Sequence, residues 1–181
     1  MAAMATHRAL DHHFLLDGNR SGLVLLRSLF RCFEADELVP AQEVYSLEID
    51  GDVGRVLIGV GQPVERPAGD AASRIVTAVN REAMLSVSGV DVVHAAVASL
   101  GDVTVVIPAH SGSGKSTLSA ALTAAGFTYF SDELAPIHPD LTVEAFPKPI
   151  VVGPGSMGVL KELASADIGD GRLGRWFLEP D

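Results

Sequence analysis

The chain has 181 residues, enough for one sizeable core, or for one domain with a small N-terminal appendage, and short for two full domains. Its formal charge of −10 and pI near 4.9 argue against a nucleic acid or an anionic membrane as partner, because both need a basic patch. A single cysteine, Cys32, excludes an intramolecular disulfide and a cysteine metal cluster, and reads as a small buried or half-buried apolar residue. The first residues lack the basic segment and apolar core of a signal peptide, and no apolar run approaches membrane-spanning length, so a soluble cytoplasmic protein is expected.

The first part of the chain alternates short extended segments with turns. Phe14-Leu15-Leu16-Asp17-Gly18 and Tyr45-Ser46-Leu47-Glu48-Ile49-Asp50-Gly51-Asp52 each carry an Asp-Gly turn signal. Gly54-Arg55-Val56-Leu57-Ile58-Gly59-Val60 completes a hairpin with the second, which predicts a small antiparallel β unit. Between them Leu23, Leu26, Leu29, Phe30 and Phe33 repeat at helical rather than strand spacing. Gln62-Pro63-Val64-Glu65-Arg66-Pro67-Ala68-Gly69 is a Pro/Gly-rich connection and marks the expected boundary. It separates an N-terminal α+β region, 1–69, from an α/β phosphate-loop domain, 70–181, unless the two form one unit. A helix is predicted over 70–87, with Asp70 as its N-cap.

Two apolar runs, 92–100 and 103–107, flank Gly101-Asp102, a tight hairpin signal. The second run should therefore pair antiparallel with the first, whereas a parallel nucleotide-binding sheet would bring a helix between neighbouring strands. It leads straight into Ala109-His110-Ser111-Gly112-Ser113-Gly114-Lys115-Ser116-Thr117. A glycine-rich turn between strand and helix gathers backbone N–H groups into one concavity; the lysine adds a mobile positive charge and the next hydroxyl can ligate Mg²⁺. The residues after it read as a helix closed by Gly126, whose N-terminal dipole faces the same concavity. Ser111, Gly112, Ser113, Gly114, Lys115, Ser116 and Thr117 are thus expected to bind the phosphates of a nucleotide. The pattern G-x-x-x-x-G-K-[ST] has glycine where this chain has Ala109. The plainer alternative is a surface turn holding an ordinary lysine, which the flanking strand and helix disfavour.

Phosphoryl transfer needs an acid opposite such a loop, and Phe127-Thr128-Tyr129-Phe130 ends in Ser131-Asp132-Glu133, at one strand's end. Only one helix and one tight turn separate Lys115 from Asp132, so the acidic strand is the next strand in the chain. Transporter-type ATPases share the letters of the loop, but their acidic strand lies far downstream behind a helical insert. His94, inside the first strand of the hairpin, is either a satisfied core histidine or a residue of the site, since the hairpin brings it near the root of the loop. His7, His12, His13 and His138 read as surface residues, and His110 as a variable loop position.

His94-Ala95-Ala96, the short hairpin, Ser111-Gly112-Ser113-Gly114-Lys115-Ser116 and Gly126-Phe127-Thr128-Tyr129-Phe130-Ser131-Asp132-Glu133, in this order and spacing, resemble the catalytic domain of HPr kinase/phosphorylase. The small HPr-kinase-related proteins are closer still. The resemblance covers roughly residues 91–153 and includes Phe146-Pro147-Lys148-Pro149-Ile150, similar to a Pro-Lys-Pro segment of those relatives. It implies an α/β core of the HPr kinase type with an antiparallel hairpin before the loop, binding ATP and Mg²⁺. It further implies Lys115 and Ser116 at phosphate and Mg²⁺, His94 near the γ-phosphate, and Asp132 with Glu133 as base and metal-ligand pair, where the family has two aspartates. The basic loop and terminal helices that complete the family's substrate site have no counterpart in this sequence. Gly153-Pro154-Gly155, a short helix over 157–163, and Arg172 and Arg175 in a glycine-rich stretch are read instead.

The expected function is an ATP-dependent phosphotransferase acting on a hydroxyl acceptor, a protein or peptide serine or a small alcohol, with Asp132 accepting the proton. A homo-oligomer is compatible with this. The competing class is a non-catalytic nucleotide-binding regulatory module in which ATP stabilises a conformation or a partner contact. A small-molecule kinase of the adenylylsulfate-kinase type is disfavoured by the antiparallel hairpin.

Overall fold

The computed structural model describes residues 6–35, 39–152 and 176–178. It is a mixed α/β chain that divides into two compact units between Val87 and Ser88. The helix expected over 157–163, and Arg172 and Arg175, lie outside the described residues.

The first unit is a five-stranded sheet of β1 (Thr6–Ala9), β2 (His12–Gly18), β3 (Glu43–Asp50), β4 (Val53–Ile58) and β5 (Val64–Pro67), in that order across the sheet. The β3–β4 hairpin turns at Gly51, as its Asp-Gly signal predicts, with Gly51 at φ +57°. The unit is not all antiparallel, however: β2 and β3 run parallel. The cause is helix α1 (Arg20–Leu29), which carries the chain back before β3 begins, as a parallel crossover requires. Asn19 caps α1 by accepting from the Gly22 N–H at 3.0 Å, and its amide also holds the backbone of Ile49. Gly22 is buried where α1 meets β3, and a Cβ there would run into the Leu47 carbonyl.

Helix α2 (Ala68–Ser86) belongs to this unit, so the division falls at 87/88 and not at 69/70. Its buried residues, among them Ala68, Ala72, Ile75, Val79 and Ala83, recur at helical spacing, and they pack on the sheet chiefly at β4. The alanines let the helix come close: a Cβ on Gly54 of β4 would lie 2.6 Å from the Ala71 Cβ. Pro67, not Asp70, occupies the N-cap; its fixed φ suits the entry, and Asp70 sits in the first turn where an acid favours the dipole. Phe14, Phe30 and Tyr45 meet edge-to-face in the core. His7 and His12 are buried beside Phe14 and stack on it, correcting their reading as surface residues, because β1 and β2 turn them inward at alternate positions. Cys32, on a single 3₁₀ turn, is exposed rather than buried.

The second unit is built around one long strand, β6 (Asp91–Leu100). On one side it pairs antiparallel with β7 (Val103–Pro108), as the Gly101-Asp102 signal predicts. On the other it pairs with β8 (Thr128–Ser131) and then β9 (Leu134–Ile137), also antiparallel. Ala95, Ala96, Val97 and Ala98 are all buried, as in a strand covered on both faces. Helix α3 (Lys115–Ala124) packs on β6 and β8. A two-stranded ladder pairs β10 (Ile150–Val152) with β11 (Trp176–Leu178).

Candidate functional site

Because β7 and β8 are each antiparallel to β6, they run parallel to one another with β6 between them. Their C-terminal ends therefore open at the same edge, β7 into the glycine-rich loop and β8 into Asp132-Glu133. The loop spans 109–114, and Gly112 and Gly114 hold φ +79° and +93°, values that favour glycine. Ala109 does not: among the described residues only Leu10 and Leu141 have positive φ without being glycine. Alanine is thus accommodated at this position without strain. Gly114 is the N-cap of α3 and offers no side chain to the first turn, whose N–H groups have no carbonyl of the helix's own to bond.

Lys115 is buried, and its Nζ donates to the carbonyls of Ala109 and His110 at 2.8 and 2.9 Å, folding the ammonium across the mouth of the loop. Ser111, Gly112 and Ser113 are exposed, and Thr117 is half-buried in the first turn of α3. Ser116, next to Lys115, is half-buried, and its hydroxyl lies near enough to the Asp132 carboxylate to favour its charged form. This proximity brings the start of α3 to the acidic strand.

Asp132 is 4% exposed and is surrounded by donors. Lys148 Nζ lies 2.6 Å from its Oδ1 and 3.3 Å from Glu133 Oε2, and the Tyr129 hydroxyl lies 3.0 Å from the same Oδ1. Burial opposes ionisation of Asp132. The Lys148 ammonium, with its hydrogen bond, that of Tyr129 and the nearby Ser116 hydroxyl, outweighs it and holds the carboxyl below the usual aspartate range. Burial, reinforced by the neighbouring Asp132 charge, pushes the Tyr129 phenol well up, so it stays a neutral donor. Glu133 is half-exposed, with 37% of its side chain open.

The meeting of Tyr129 and Asp132 depends on an irregularity in β8. Strand alternation would put residues three apart on opposite faces. Between Tyr129 and Ser131 the register against β6 slips by one, from Ala98↔Tyr129 to Val97↔Ser131, so that Phe130 is the extra residue. The bulge brings Tyr129 and Asp132 to one side, a known use of bulges beside functional sites. Ser131 Oγ then accepts from the N–H groups of Glu133 and Leu134 at 3.1 and 3.0 Å, fixing the bend that carries both acids.

His94 pairs in register with Leu134, and the adjacent Ala95 pairs with Pro108 and donates to the Glu133 carbonyl. Its backbone thus lies between the root of the glycine-rich loop and the acidic bend. Its side chain is exposed, so it is not a satisfied core histidine. The structure accordingly gathers the loop, Ser116, Asp132, Glu133 and the backbone of His94 at one edge, while Lys115 bonds only loop carbonyls. Sequence reasoning passed over two partners, Lys148 and Tyr129. Lys148 stood in the Pro-Lys-Pro segment with no role assigned, and only its rarity in this arginine-biased chain, three lysines in all, hinted at one.

Among the described residues no three His, Cys, Asp or Glu side chains gather as a metal-binding group. A hydroxyl beside a carboxylate, Ser116 with Asp132, nevertheless suits Mg²⁺, which takes few protein ligands and completes its shell with water and phosphate oxygens. No helix among the described residues is long and apolar enough to cross a membrane. No family model, curated protein or solved structure matches the chain.

Proposed function

We propose that the second unit binds the polyphosphate of ATP at residues 111–117 and transfers its terminal phosphoryl group to a hydroxyl acceptor, in the manner of the HPr-kinase-related proteins that the sequence resembles. The single observation carrying the reading is the juxtaposition, at one edge, of the glycine-rich loop opening from β7 and the buried Asp132 carboxylate at the end of β8, with Ser116 near enough to stabilise its charge. A surface turn with an ordinary lysine has no reason to open at the same edge as a buried carboxylate.

In this reading the uncapped N–H groups of α3 and the Lys115 ammonium hold the phosphates. Lys115 exchanges the two carbonyls it now contacts for phosphate oxygens, a short move for a flexible four-carbon stem. Ser116 and Asp132 are the residues that would hold Mg²⁺, which supplies charge neutralisation on the phosphates when bound. The proton-accepting role expected of Asp132 passes to its neighbour. Asp132 is buried, has a lowered pKa and is held by Lys148 and Tyr129, which suits an organiser and not a base. Glu133 has the exposure needed to meet an acceptor hydroxyl, and His94, exposed at the adjacent backbone position, faces no burial barrier to approaching the transferring group.

The second reading, a nucleotide-binding module without turnover, is favoured by one observation, the closed bonding around Asp132. Incubation with terminally labelled ATP and Mg²⁺, alone and with serine peptides and small alcohols, separates the two. Label transfer that disappears in Glu133→Gln supports the kinase. Lys115-dependent ATP binding with no transfer to any acceptor supports the module.

A further inference from the structure

Lys148 is 3% exposed, and its ammonium is enclosed by three oxygens: Asp132 Oδ1 at 2.6 Å, Glu133 Oε2 at 3.3 Å and the Pro149 carbonyl at 3.4 Å. Two carboxylates and a carbonyl around one positive centre are also what a hard divalent cation takes as ligands. The lysine backbone is pinned independently of its charge. Pro147 and Pro149 restrict it on either side, its N–H donates to the Phe146 carbonyl at 2.8 Å, and its own carbonyl lies 3.0 Å from the Tyr129 hydroxyl, which shares its one proton between this oxygen and Asp132. The ammonium can therefore leave the carboxylates on its flexible stem while the segment stays in place.

We infer that Lys148 is the internal counter-cation of the Asp132–Glu133 pair, holding both carboxylates in the ligand-free chain and yielding Asp132 when a divalent cation arrives with a nucleotide polyphosphate. The inference rests on the nucleotide-binding reading above. A second cation at Asp132 would stand within a few ångströms of the ammonium, and like charges at that distance repel strongly in a buried setting. Free cation is thus disfavoured at the empty loop. The phosphates supply the negative charge that changes the balance, so metal and nucleotide load together. Lys148 acts here through the two acids as a positioning residue.

The test is Mn²⁺ binding to the nucleotide-free protein, followed by the paramagnetic resonance of the free ion. The parent should bind weakly. Lys148→Met should bind on the order of tenfold more tightly or better, the scale on which a ligand's neighbours tune metal affinity, and Lys148→Arg should stay weak. A folded Lys148→Met, with circular dichroism matching the parent, that binds Mn²⁺ no better would overturn the inference. A second measurement needs no variant: acetylation of Lys148 by an amine-reactive ester, read by mass spectrometry of the parent. Saturating Mg²⁺–ATP should raise its labelling several-fold; labelling unchanged while ATP is bound would contradict displacement. Failure of the nucleotide reading looks different. The parent would then bind no ATP, and a Mn²⁺ gain in Lys148→Met would support the counter-cation role while removing its link to nucleotide.

Discussion

Both units bury a tyrosine in a polar cluster, and the two clusters differ in charge. In the first, Tyr45 lies 2.9 Å from His12 Nε2, and His12 Nδ1 lies 3.2 Å from Gln42 Oε1. Burial holds the Tyr45 phenol well above its ordinary pKa and lowers that of His12, a shift that the Gln42 hydrogen bond only partly offsets. Every member is neutral, and Phe14 stacks on the imidazole. In the second, Tyr129 faces the carboxylate of Asp132, which is ion-paired with Lys148 beside an uncapped helix start. A neutral, mutually bonded cluster is explained by the core it sits in. Burying charges costs several kcal/mol per ion, and substituting apolar groups is often as stable, so a charged cluster next to an open loop calls for a reason beyond folding.

The comparison is broken most severely by removing one charge. Asp132→Ala leaves the Lys148 ammonium with a half-exposed partner, and should destabilise the second unit by about 3–5 kcal/mol in urea unfolding. The matching change in the neutral cluster, Tyr45→Phe, leaves a buried imidazole nitrogen short of a partner and should cost about 1–3 kcal/mol, with nucleotide binding unchanged. Equal losses at the two sites would remove the distinction.

Acid should separate the clusters by the pH at which each fails. The folded pKa of His12 lies below its ordinary 6.5, so its contribution is complete above that value and declines as pH falls from it toward the folded pKa. Asp132 lies below its ordinary 3.8, so its contribution is complete above that value and declines as pH falls from it through the depressed folded value. Unfolding followed through Tyr45 and Tyr129, each replaced by Phe in turn, should show the first unit weakening at milder acidity. The smallest expected effect is on stability in His94→Ala. An exposed side chain should change it by less than about 0.5 kcal/mol, while turnover falls by about 10²-fold if the ring serves the transferring group.

What could be read in advance follows from which interactions are local. The strand–loop–helix at 103–124 and the Gly101-Asp102 hairpin are written in adjacent residues, and both stand as expected. Asp132 and Glu133 follow from chain length, since one helix and one turn allow only the next strand. The parallel pairing of β2 with β3 is not legible in the sequence, although the helical spacing between them is, because hairpin signals on either side outweigh the crossover. The one-residue slip at Phe130 leaves no compositional mark, so the Tyr129–Asp132 contact could not be anticipated by counting alternate residues. Lys148 meets Asp132 through a loop without regular structure, where spacing carries no geometry.

The central claim is that the loop ahead of α3 holds nucleotide phosphates through Lys115, and thermal unfolding of the parent and of Lys115→Ala with and without Mg²⁺–ATP tests it most directly. Ligand at about 100 times its Kd adds about 2.7 kcal/mol to the folded state. The parent melting temperature should therefore rise by several degrees, with most of that rise absent in Lys115→Ala. An equal rise in both proteins, or none in the parent, would contradict the account.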